Sequence, residues 1–229
     1  MQLVFIHGSG GTGKVWKYQT QYFPGAIAVD LPGHPEGDLL ESVQSMAAWL
    51  KQYVDDAGLS ELVLIGHSIG GGIALQYALD CPEDVHAIIS IGSGGRLRVH
   101  PDTIISMEQA LAKPESIEPF VKSFWQRVEP EFAAELIADG LALGPAAFLQ
   151  DFKACDEFDV MESLGEIDQP MLAIVGSDDV MTPQKYAEFM VQKMPDALLE
   201  VIHDGTHAVF AEKPKEVNSA IERFLATLT

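Results

Sequence analysis

Two glycine-rich turns in this chain hold residues able to do chemistry. The first is Gly66-His67-Ser68-Ile69-Gly70, set between the bulky run Leu62–Ile65 and a small-residue segment without a breaker until Cys81-Pro82. That context reads as strand, sharp reversal, helix. The reversal strains Ser68, admits nothing larger than glycine at Gly66 and Gly70, and holds the Ser68 hydroxyl beside free helix N–H groups that favour developing negative charge. Serine is a weak nucleophile at neutral pH and needs a base. His67 is adjacent, but neighbouring residues at a tight turn point apart. The second turn is His7-Gly8-Ser9-Gly10-Gly11-Thr12-Gly13-Lys14. Gly8-x-Gly10-x-x-Gly13, with Asp30 22 residues beyond Gly8, matches a dinucleotide-binding fingerprint. Gly8 to Lys14 also fits a phosphate loop, except that Val15 stands where Ser or Thr should hold magnesium.

Six apolar, β-favouring runs must carry these turns: Leu3–Ile6, Ala26–Val29, Leu62–Ile65, His86–Ile91, Pro170–Val175 and Ala197–Ile202. Helical periodicity covers Glu41–Ala57, where Val43, Met46, Ala47, Leu50, Tyr53 and Val54 recur at three- and four-residue steps and Gly58 ends the helix. A second amphipathic helix spans Pro214–Leu228, and Thr182 and Pro183 read as N-cap and first residue of another. Between about residues 96 and 165 no strand is legible. Pro101, Pro114, Pro119, Pro130 and Pro145 punctuate helix-like stretches there, at positions where a missing N–H is harmless.

Length and composition bound the remainder. The 229 residues suffice for one core carrying an insertion. Apolar runs are short, so no membrane-spanning helix is expected, and the opening Met1–Ile6 lacks the basic region of a signal peptide. A cytoplasmic location is the resulting expectation. Cys81 and Cys155 cannot build a disulfide framework or a metal site and read as free thiols. With 14 basic against 34 acidic residues the net charge is −20, which disfavours nucleic acid and anionic membranes as partners.

The Gly-x-Ser-x-Gly turn in its strand–helix setting resembles the nucleophile elbow of the α/β-hydrolases, and the resemblance runs over nearly the whole chain. It implies an α/β fold with a mostly parallel sheet of about six strands flanked by helices. Residues 1–95 and 166–229 would form the core and 96–165 a helical lid. Gly176-Ser177-Asp178-Asp179-Val180-Met181-Thr182-Pro183 matches the family's Gly-x-x-Asp-x-x-x-Pro segment and places the catalytic acid at Asp179, with Asp178 the alternative. His207 follows the last strand ahead of Glu212-Lys213-Pro214 and matches the family's base, although Thr206 separates it from Gly205. His203, at the strand end, would be structural. His7-Gly8 matches the family's loop that supplies half of an oxyanion hole, through the N–H of Ser9 first and Gly10 second, the other half being the N–H of Ile69. Asp30 then becomes a turn-stabilising acid and His34 a surface loop residue. Met107, Phe124, Trp125 and Phe148 of the lid are candidates to line an apolar substrate pocket.

Nucleophile, acid and base in the order Ser68, Asp179, His207 imply a serine hydrolase acting on a small carboxylic ester, with no metal or organic cofactor. The expected state is a monomer or homodimer. A dinucleotide enzyme would leave the elbow, Asp179 and His207 unexplained. The same triad serves lactone, thioester and carbon–carbon bond hydrolases, and the fold also hosts non-catalytic binding proteins. A dehalogenase would need Asp at position 68.

Overall fold

Six runs of β-favouring residues pair into one sheet in the computed structural model, which describes residues 1–228. The strands are β1 (Gln2–Ile6), β2 (Ile27–Val29), β3 (Leu62–His67), β4 (Val85–Ile91), β5 (Met171–Gly176) and β6 (Ala197–Ile202), in the order β2-β1-β3-β4-β5-β6. All five pairings are parallel, a stricter arrangement than the mostly parallel sheet expected. β3 and β5 are buried along their whole length, as parallel strands covered on both faces must be. One core layer packs α2 (Val43–Ala57) and α3 (Ile69–Asp80) against the sheet; the other holds Trp16, Phe210 and Phe224.

α2 follows the sequence expectation: it starts at a reciprocal Ser42–Ser45 capping box and ends at Gly58 in the left-handed region. The next expectation fails by one residue: Pro183, not Thr182, is the N-cap of α7 (Gln184–Lys193), and the Thr182 hydroxyl is taken by Asp179. Cys81 and Cys155 are free, Cys155 buried.

Between β4 and β5 lie α4 (Pro101–Ala110), α5 (Glu118–Phe124) and α6 (Pro130–Glu157), with prolines in their first turns. α6 breaks at Gly144, whose φ of 75° and ψ of 176° interrupt the helix immediately before Pro145 restarts it. By length and composition α6 is the one helix among the described residues that could reach across a membrane. Its kink, its acidic residues and the contacts of its second half with the β1 loop instead make it part of the folded domain.

Candidate active site

Ser68, Ile69, Asp179, His207, Ser9 and Gly10 all sit beyond the carboxyl ends of strands, where loops of an open parallel sheet converge, whereas the candidate pocket residues lie on the helical segment. Ser68 follows β3 with φ 54° and ψ −119°, a conformation of the kind expected at a strained turn. Its N–H donates to the Ile91 carbonyl at 3.0 Å, and Ser93 Oγ donates to its carbonyl at 2.6 Å. The packing explains both elbow glycines. A Cβ on Gly66 would overlap the Gly70 backbone, and one on Gly70 would overlap the Ile6 carbonyl.

Asp179 and His207 come from the loops after the neighbouring strands β5 and β6. His207 Nδ1 lies 2.8 Å from Asp179 Oδ2, and both residues are buried. Asp179 Oδ1 accepts the N–H groups of Met181 and Thr182, each at 2.9 Å, and Oδ2 also accepts Thr182 Oγ1 at 2.8 Å. Burial pushes the Asp179 carboxyl up, but the bonds from His207 and Thr182 outweigh it and hold the group below its ordinary value. The ionised carboxylate therefore holds the proton of His207 on Nδ1 and leaves Nε2 as the basic atom. Asp178 is exposed and pairs with Arg127 at 3.2 Å. His203 is exposed beside Asp204. The Thr206 insertion has a use as well: its N–H and hydroxyl both bond the Glu212 carboxylate, which anchors the His207 loop.

Two further residues brace this side. Gly92, after β4, has φ 53°, and a Cβ there would stand 3.2 Å from Asp179 Oδ2 and 3.3 Å from His207 Nδ1. His67 Nε2 bonds the His207 carbonyl at 2.9 Å, and its ring packs between those of His207 and Phe210, each at 4.6 Å. Burial, then the neighbouring His207, pushes its pKa down to about 3, so His67 is a neutral strut.

The β1 loop faces the elbow from the opposite side. The Gly8 carbonyl accepts from His7 Nδ1 at 2.9 Å and from the Gly11 N–H at 3.1 Å. A trans peptide directs its N–H opposite its carbonyl, so the Ser9 N–H points away from these two donors. The Gly10 N–H is not available: it donates to Asp151 Oδ2 at 2.8 Å. Of the two loop donors expected, the structure leaves Ser9 and removes Gly10. His34, expected at the surface, is buried at 1 % exposure because its Nε2 bonds the same Asp151 oxygen at 3.0 Å. The loop is also unsuited to phosphate. Gly13 N–H is occupied by Asp30 Oδ1 at 2.6 Å and Lys14 by Asp139 at 2.9 Å, so carboxylates stand where an anion would bind. Asp30 is thus the turn-stabilising acid expected.

A cavity of only about 30 Å³ joins the two sides, well below the volume of ordinary ligand pockets. Ser9, Ser68 and His207 line it together with Phe124, Trp125, Phe152, Met181 and Phe210. Phe124 and Trp125 were expected. Met107 and Phe148 do not line it: both are buried in a cluster formed by the helical segment, and Phe148 covers Gly10. Phe152, Met181 and Phe210 are additions. Phe152 stands one helical turn from Phe148 on the same face, so periodicity could not choose between the two; Met181 and Phe210 carry no such signal.

The chain belongs to the alpha/beta hydrolase family, whose sequence profile it matches over residues 3–220. It is similar to a thermophilic esterase of known structure, at 31% identity over 99% of this chain and 90% of that one, with a TM-score of 0.83. It is also 26% identical to RutD of Rhizobium rhizogenes, a candidate carbamate hydrolase by name, over 97% of this chain and 92% of that protein. Mouse (Mus musculus) ABHD8 is 26% identical over 97% of this chain, which spans only 54% of its length.

Proposed function

We propose that this chain is a serine hydrolase of small carboxylic esters that works through an acyl-enzyme at Ser68. The observation that carries the reading is the buried 2.8 Å bond between His207 and Asp179, opening on the cavity that also holds the Ser68 elbow. In the first step His207 Nε2 takes the Ser68 proton as Oγ adds to the ester carbonyl. Asp179 holds the imidazole tautomer and stabilises the imidazolium. The developing oxyanion accepts from the N–H groups of Ile69 and Ser9, each worth roughly 3–4 kcal/mol of barrier in sites of this kind. His207 then protonates the leaving alcohol, and water hydrolyses the acyl-enzyme with His207 again as base.

The cavity volume supports short acyl or alcohol groups over long ones. The test is hydrolysis of p-nitrophenyl esters of two to twelve acyl carbons by the unaltered protein and by Ser68→Ala, with phenyl carbamates added because of the likeness to RutD. Turnover confined to short esters and lost in Ser68→Ala is the expected result. Turnover that survives the substitution would overturn the assignment of Ser68, and none on any ester would favour a narrower substrate or a binding role.

A further inference from the structure

The oxyanion loop is not self-supporting. One face of the second half of α6 lies on it, through Phe148, Asp151 and Cys155, three and four residues apart as a helix face requires. The Phe148 ring fills the space a Gly10 side chain would need, and Cys155 Sγ stands 3.8 Å from Ser9 Oγ. Asp151 makes the central contact. Its Oδ2 accepts both the Gly10 N–H at 2.8 Å and His34 Nε2 at 3.0 Å, while its Oδ1 is buried with no protein partner. His34 Nδ1 in turn faces the Pro32 carbonyl at 3.1 Å. Both ring nitrogens of His34 therefore meet acceptors, which is the arrangement of an imidazolium.

We infer that Asp151 and His34 are positioning residues for the oxyanion hole: their buried ion pair pins the Ser9–Gly10 peptide and so directs the Ser9 N–H at the reacting carbonyl. The inference rests on the hydrolase reading above. His7 pins the peptide before Ser9 and Asp151 the peptide after it, so Ser9 is fixed from both ends. The His7 and His34 rings touch, with centroids 5.0 Å apart, which joins the two supports. The pair divides its charges accordingly. Burial alone would push His34 down, yet the hydrogen bond and charge of Asp151 raise it above its ordinary value, whereas burial, then the neighbouring His34, lowers His7 to about 4. A neutral His7 is what its two bonds need, since Nδ1 donates to Gly8 and Nε2 accepts from Leu31 at 3.1 Å.

The test compares the unaltered protein with Asp151→Asn and His34→Gln on p-nitrophenyl butyrate and on an aryl trifluoromethyl ketone, which adds to Ser68 and places an oxyanion in the hole. Because the donor is misaimed rather than deleted, kcat should fall about 10- to 100-fold, less than the loss of a whole donor, with KM changed by less than about 2-fold. Affinity for the ketone should fall in step with kcat, a coupling that a merely structural role would not produce. Unchanged kcat in both variants, or a rise in KM with ketone affinity intact, would overturn the inference. Ser68→Ala separates the two layers. If the unaltered protein shows no Ser68-dependent turnover, the hydrolase reading falls and takes this inference with it; Ser68-dependent turnover with both variants at full kcat overturns the inference alone. Should both variants fail to fold, the amide proton of Gly10 in the unaltered, glycine-labelled protein decides by NMR. A downfield, exchange-protected resonance is expected, and one that exchanges freely would sink the idea.

Discussion

The proposed acid–base side of the site and its proposed oxyanion side are built on opposite plans. Asp179 and His207 stand 28 residues apart, on loops after adjacent strands, and most of their braces are close in sequence: Thr182 three residues from Asp179, Glu212 six from Thr206. Ser9 and Gly10 have one local support, the His7 bond to the Gly8 carbonyl, and otherwise are held by residues that lie far away along the chain. Gly10 and Asp151 are separated by 141 positions, His34 and Asp151 by 117, and Ser9 and Cys155 by 146. One side is a property of two loops. The other is a property of how the helical segment seats on the sheet.

The largest effect should come from the acid–base side. Asp179→Asn leaves the shape and removes the charge that orients His207, so kcat should fall by about 10⁴, the loss seen for the equivalent change in a related triad. Asp178→Asn, one residue away at the exposed Arg127 pair, should leave kcat within about 2-fold. Comparable losses in the two variants would erase the distinction between the carboxylates. A middle-sized effect comes from giving each side a methyl group. Gly92→Ala crowds Asp179 and His207 at 3.2 and 3.3 Å and should lower kcat by about 10-fold, while its left-handed φ costs roughly 1–2 kcal/mol of stability. Gly10→Ala must displace Phe148 of α6, so its thermal midpoint should drop further than that of Gly92→Ala. Equal midpoints would mean that α6 seats independently of the loop.

The smallest effect is a difference in pH dependence of stability between His67 and His34. Folding lowers His67 to about 3, so above the ordinary histidine value near 6.5 the group imposes no proton penalty. As pH falls below that value the unfolded chain binds a proton that the folded one refuses, and stability is lost. His34 has the opposite sign, because its folded value is raised. Its contribution is full below about 6.5 and disappears as pH rises through the folded value. Urea midpoints of the unaltered protein, His67→Gln and His34→Gln between pH 4 and 9 check this. The gap caused by His67→Gln should narrow toward pH 4, and that caused by His34→Gln should narrow toward pH 9. The groups facing His34 are Asp151 and His7, and those facing His67 are His207, Asp179 and His7, so both trends read the same buried cluster from two ends. Parallel trends would show that the two histidines share one protonation state.

This contrast also explains what could be read in the sequence. The strands and the elbow are legible because each is written in a short run whose period or glycine placement has one physical meaning. Asp179, His207 and the turn role of Asp30 came instead from the resemblance to the α/β-hydrolases, since Asp30 by itself also fitted a ribose-binding acid. His34 was misread as a surface residue because nothing near it in the chain announces its partner. An Asp on a helix face reads as solvated, and only the seating of α6 turns Asp151 inward. Phe148 and Phe152 show the same limit on a smaller scale. Both are aromatic residues on one face of one helix, and which of them meets the cavity depends on how far along the helix the loop contacts fall rather than on periodicity or composition. Thr182 fits the pattern of a helix cap, and tertiary bonding to Asp179 overrode that local preference.

The parallel sheet also governs when the site can exist during folding. No strand pairs with a neighbour through a short hairpin, because every parallel pairing requires a crossover. The chain must close long loops before strand contacts reward it, which places it among slower-folding topologies. As the chain emerges from a ribosome, the β1 loop is made more than a hundred residues ahead of Asp151 and then His207. The Ser9–Gly10 loop and the Ser68 turn are thus synthesised long before Asp151 and His207 can meet them, and the candidate site is complete only after the last strand docks.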